Sequence, residues 1–196
     1  MLLRILATTL AILSTSAMTG CGSNQASPPV AIPTPECELQ IEAPAQIKQN
    51  SHDQLKVRIN NVGAVPVTLV LPGDGSDISW RTPVITWALT RLDLPAPVAF
   101  FPRGAGIRRC GNINRLDLRE VFTIKPGENQ EISQWVCLPS GMPPGKYSVI
   151  FHYSNVPNMK WRGVPLGKHD PVAMRQVKRS TPISLISNEV IVEIIE

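Results

Sequence analysis

From Cys37 onward, apolar and polar residues alternate in short runs, the spacing of half-buried β-strands. CELQIEAP, beginning at Cys37, puts Leu39 and Ile41 on one face. DQLKVRINN, beginning at Asp53, turns Leu55, Val57 and Ile59 inward and Gln54, Lys56 and Arg58 outward. Asn61-Val62-Gly63-Ala64 is turn chemistry, and AVPVTLVLP then resumes with Val65, Val67 and Leu69 on one side. Residues 53–71 are therefore predicted to form a β-hairpin. Further strands are predicted at PVITWALT (83–90), LREVFTI (118–124), EISQWVC (131–137), KYSVIFHYS (146–154) and NEVIVEII (188–195). Turns at Lys125-Pro126-Gly127-Glu128 and Pro143-Pro144-Gly145 separate them. Residues 71–79 read as a loop, and residues 91–116 as a long irregular segment rich in Pro, Gly and Arg.

One stretch breaks the alternation. Asp170 can cap a helix, Pro171 suits its first position, and VAMRQVKR follows until Thr181-Pro182 ends it. Several strands with turns between them and one short helix near 171–179 predict an all-β fold, an antiparallel β-sandwich of about 7–9 strands over residues 36–196. The 19 prolines fit short extended segments better than long helices.

The N-terminus has a different texture. Residues 1–20 hold Arg4, a short apolar run from Ile5 to Leu13, and the small or compact residues Met18-Thr19-Gly20 directly before Cys21-Gly22, with Met18 where Leu is commoner. The run is too short to span a bilayer as a stop-transfer helix. It resembles a bacterial lipoprotein signal peptide, which implies cleavage before Cys21 and acylation of that cysteine. A small residue after the cysteine, here Gly22 rather than Asp, goes in such lipoproteins with export to the outer membrane. Residues 21–35, rich in Pro and small polar residues, cannot bury a core and read as a flexible tether.

This address changes the reading of charge and cysteines. The chain carries a formal +4, and losing residues 1–20 removes Arg4 and no acid. A mildly basic protein outside the inner membrane has no nucleic acid to meet, but anionic lipid or glycan lies nearby. With Cys21 acylated, Cys37, Cys110 and Cys137 remain. The predicted disulfide joins Cys110 and Cys137, and Cys37 is left over as a small apolar residue. Cys37 as a bridge partner is the alternative.

Candidate chemistry is sparse. Asp74 and Asp77 in Gly73-Asp74-Gly75-Ser76-Asp77 could offer oxygens to Ca²⁺, but Ile85 stands where an EF-hand needs its last Glu, so a polar turn is the preferred reading. Trp80-Arg81 beside that loop can form a binding edge, or Trp80 can cover the end of the core. The core-covering role is the expectation. His52, His152 and His169 sit in no HxH or HExxH pattern, and there is no CxxC or GxSxG, so no metal, cofactor or catalytic residue is assigned. Two basic segments stand out. One holds Arg103, Arg108, Arg109, Arg115 and Arg119; the other holds Lys160, Arg162, Lys168, Arg175, Lys178 and Arg179. They form a cationic patch if they meet, or a solvated surface with local pairs such as Asp117 with Arg115 or Arg119.

Asn60-Asn61-Val62-Gly63 running into Pro66-Val67-Thr68-Leu69 resembles the hairpin of bacterial Ig-like domains. Phe122-Thr123-Ile124-Lys125-Pro126-Gly127-Glu128, Trp135 and Pro144-Gly145-Lys146-Tyr147-Ser148-Val149 are similar to later strands of adhesion-type and proteinase-inhibitor-type Ig-like modules. The resemblance covers about residues 50–72 and 118–154. It implies an Ig-like sandwich that binds another macromolecule through loops 72–82, 102–116 or 156–170 and does no chemistry. A protease inhibitor and a structural subunit of an envelope assembly are the alternatives it leaves.

Overall fold

The computed structural model describes residues 34–49, 51, 55–100 and 114–196. The leader, Cys21, most of the tether, His52, Arg103, Arg108, Arg109 and Cys110 lie outside the described residues. Residues 33–196 form one compact unit. Among the described residues no helix is long and apolar enough to cross a membrane.

Among the described residues, thirteen strands and one α-helix build the unit. In chain order the strands are β1 (Cys37–Glu42), β2 (Gln46–Lys48), β3 (Lys56–Asn61), β4 (Val67–Val70), β5 (Val84–Arg91), β6 (Val98–Phe100) and β7 (Val121–Ile124). Then come β8 (Asn129–Glu131), β9 (Gly145–Asn155), β10 (Lys160–Trp161), β11 (Val164–Pro165), α1 (Pro171–Lys178), β12 (Ile183–Ile186) and β13 (Val190–Ile195). The large sheet has the order β2-β13-β9-β5-β6, and β12 also pairs with β9. Its backbone is β9, which pairs with β5 from Val84↔Ser154 to Arg91↔Tyr147. Along its other side, β13 pairs with one end of β9 and β12 with the other. A three-stranded sheet β1-β3-β8 and a two-stranded sheet β4-β7 provide opposing surface.

Alternation explains the layering. Leu39, Ile41, Val57, Ile59, Val67 and Leu69 from the smaller sheets join Ile85, Tyr147, Val149, Phe151, Tyr153 and Val192 of the large sheet in one core. Each large apolar side chain so buried contributes about 1.5–3 kcal/mol of transfer free energy. His152 lies between Phe151 and Tyr153 on β9 and faces away, part-exposed, while both neighbours are buried. The all-β, sandwich-like fold with one short helix is thus the one expected.

Several local expectations fail. Residues 53–71 do not form a hairpin, because β3 pairs with β1 and β8 while β4 pairs with β7. Asn61 is the cause. Its side-chain Nδ2 donates to the carbonyls of Val65 (2.8 Å) and Ile124 (2.9 Å), holding the chain on course instead of folding it back. The strands β3 and β4 then run successively against β8 and β7, whose own break is the turn around Gly127. EISQWVC is not a strand either, since Ser133–Trp135 is a 3₁₀ turn. Ser133 Oγ accepts from Val57 N at 2.9 Å and so replaces a ladder bond that a strand would supply. At 118–124 only Val121–Ile124 is extended; Leu118–Glu120 is a 3₁₀ turn capped by Asp117.

The helix is as expected. Asp170 Oδ1 accepts from Val172 N (2.9 Å) and Ala173 N (3.0 Å), satisfying two free N–H groups, with Pro171 beside it. Ala173 and Val177 turn inward onto a second, smaller core with Val70, Leu116, Met159 and Leu166. This small core seats residues 156–179, a β10–β11 hairpin followed by α1, on the rest of the domain.

Candidate functional site

The loop predicted at 71–79 is a tight polar turn. Gly73 N donates to Ser76 Oγ (3.0 Å), and the Gly75 carbonyl accepts from Trp80 N (2.9 Å) and Arg81 N (3.2 Å). Gly75 (φ 85°) and Ser79 (φ 60°) both occupy the left-handed region. The turn directs its last two residues to opposite sides: Arg81 inward, 6% exposed, and Trp80 outward, 46% exposed. Asp74 and Asp77 stay at the surface of the turn, part-exposed. No group of three or more His, Cys, Asp or Glu side chains gathers to hold a metal among the described residues.

Arg81 is therefore a structural residue, not a surface contact. Its Nη2 donates to Glu120 Oε2, and Glu120 is itself only 13% exposed. The guanidinium lies so close under the turn that a Cβ on Gly73 would fall 2.2 Å from Nη1. Only glycine allows that approach.

Trp80 does not cover the core, contrary to expectation. It stacks on Arg162, whose Cζ is 3.8 Å from the Trp80 ring centroid and 5.1 Å from that of Trp161. The backbone fixes this arrangement. Arg162 N donates to the Trp80 carbonyl (2.7 Å), Thr82 N to the Lys160 carbonyl (3.0 Å), and Lys160 N to Thr82 Oγ1 (2.9 Å). Residues 80–82 thus act as an extra strand beside β10. Arg162 (φ 46°) and Gly163 (φ 84°) form the two-residue turn of the β10–β11 hairpin, both positive as a type I′ turn requires. An arginine over a tryptophan face contributes about 0.5–1 kcal/mol at an exposed site.

The surrounding surface is basic. Residues 156–179 contain six lysines and arginines and one acid, Asp170, which is occupied as the helix cap. Lys160, Arg162, Lys168, Arg175, Lys178 and Arg179 are all exposed, and among the described residues none is ion-paired. Val156, Val164 and Val172 lie exposed among them. The other basic segment behaves differently. Arg119 pairs with Asp117 at 2.7 Å and holds that carboxyl well below the usual carboxylate range. Asn114 bonds the Pro165 carbonyl (2.8 Å) and Gly167 N (2.8 Å), so residues 114–116 dock beside the β11–α1 connection.

The sequence reading singled out Trp80 but not Trp161 or the Arg162 stack. A usable signal was present: Trp-Arg occurs twice, at Trp80-Arg81 and Trp161-Arg162. Cys37 is half-buried, burial pushes its thiol upward, and it does not bridge the buried Cys137. The proposed partner Cys110 lies outside the described residues. Comparison with protein-family models finds no match, and comparisons with characterised proteins and with solved structures find none either.

Proposed function

We propose that the protein is a lipid-anchored, extracytoplasmic binding module of the bacterial envelope that performs no chemistry and grips the acidic face of another envelope protein. The observation that carries this reading is the surface built from Trp80, Trp161, Arg162 and the unpaired bases of residues 156–179. Tryptophan and arginine are the side chains that most often anchor protein interfaces, and the stack holds both in place before binding, which lowers the ordering cost. Basic residues around such an anchor steer an acidic partner and reject a basic one. The N-terminal pattern ending at Cys21 supports the address: acylation there and a short tether would keep the surface near a membrane.

Photocrosslinking in intact membranes tests this. A benzophenone amino acid at Trp80 should yield a discrete protein adduct, and the same group at Ile191, exposed on β13, should not. The adduct should fall about tenfold in Lys168→Glu/Arg175→Glu and at about 0.5 M salt, where exposed charges are screened. An adduct to polysaccharide, or equal labelling from Ile191, would overturn the acidic-protein reading.

A further inference from the structure

Between the β10–β11 hairpin and α1 lies an open-sided cavity of about 390 Å³. This is within the range of small-molecule sites, about 300–1,000 Å³. Its floor is apolar and buried, formed by Met159, Leu166 and Val177. Met174 and Pro165 make the walls. Lys160 and Lys178 stand at the mouth, both exposed, and no acidic side chain lines the cavity among the described residues. Every one of these residues comes from the 156–179 segment, whose position is fixed by the smaller core and by the pairing of β10 with residues 80–82.

We infer that this cavity binds a single acyl chain carrying an anionic headgroup. The chemistry divides along the depth of the site. Two methionines among the lining residues give a floor and wall that can reshape around a flexible chain without leaving a void. The two ammonium groups at the mouth can meet a carboxylate or phosphate while it stays in contact with water, so no charge has to be buried. A neutral apolar molecule would leave both lysines unused. An anion without a tail would leave the floor wet. Trp80, Trp161 and Arg162 are not among the lining residues, so a change at Met174 inside the cavity is read separately from the Trp80 stack.

The test uses full-length protein in isolated membranes and a fatty acid bearing a diazirine near its methyl end. Irradiation should place adducts on the peptide spanning residues 157–178. Met174→Trp fills the cavity and should cut labelling about tenfold. Lys160→Gln/Lys178→Gln leaves the floor intact and should cut it about fivefold, the loss expected for two rim ion pairs. The methyl ester of the probe should label as poorly as the double lysine variant. A diazirine-bearing phosphatidylglycerol run in parallel identifies the source: labelling by it marks a membrane lipid chain as the occupant, and labelling by the free acid alone marks a fatty acid. Unchanged labelling in the double lysine variant, equal labelling by the methyl ester, or no adduct on 157–178 from either probe overturns the inference. Met174→Trp should leave crosslinking from Trp80 intact, which separates failure here from failure of the interface reading.

Discussion

An Asn155→Ala variant is expected to melt about 6–20 °C below wild type, a loss of about 3–5 kcal/mol. Asn155 lies at the end of β9 and is fully buried. Its Oδ1 accepts from Val70 N at 3.2 Å, and its Nδ2 donates to the Thr181 carbonyl (2.7 Å) and to Ser180 Oγ (3.1 Å). One side chain thereby ties the large sheet to β4 and to the segment leaving α1. Alanine removes these three bonds and the contact of Oδ1 with Tyr153 Oη (3.2 Å), and leaves buried polar groups unpaired, so the cost is desolvation as well as the bonds themselves. Tyr153→Phe should cost less. It removes one hydroxyl, which donates to the Val70 carbonyl at 2.6 Å, and leaves the ring packed. Thermal melts of the two variants should rank them in that order. Equal and small shifts would show that the network is not a structural tie.

The second large effect concerns Gly73 and Arg81. Gly73→Ala should destabilise by about 2–4 kcal/mol, because a methyl there displaces the Arg81 guanidinium and breaks a buried pair with Glu120. The informative comparison is the double variant. In an Arg81→Ala background the guanidinium is gone, and Gly73→Ala should add less than about 1 kcal/mol. Denaturant unfolding of the four proteins measures the coupling. Additive losses would mean that Gly73 is required for its backbone alone and not for the close approach of Arg81. The same variants report on the surface, since the turn that buries Arg81 is the one that presents Trp80.

Which features were legible in the sequence follows from the range of the interactions involved. The helix could be read because its determinants are local: Asp170 bonds residues two and three positions on, and Pro171 needs only its own φ. The inward faces of β1, β3 and β4 could be read because alternation is also local. Pairing could not. Asn61-Val62-Gly63 carries the composition of a hairpin turn, yet Asn61 is held by Ile124, sixty-three residues away. Ser133 stands in for a strand partner of Val57 across a similar distance. The short strands β2, β6, β10, β11 and β12 are too brief to show a period. The site divides the same way. Trp80 stood out by composition and loop context, but its role depends on Arg162, which reaches it through backbone pairing between residues 80–82 and β10. Arg81 looked equivalent to Trp80 in the sequence, and the turn sends it to the opposite side.

The partner, the acyl site and the cationic surface all take their meaning from the address that residues 1–22 imply. That address can be measured without reference to any partner. Intact-mass and peptide mass spectrometry of the mature protein from membranes reads the N-terminus directly, and the same spectra report whether Cys110 and Cys137 are bridged. The account predicts a chain that begins at Cys21 and carries acyl groups on that residue. A mature chain that begins elsewhere, or at an unmodified Cys21, would contradict it.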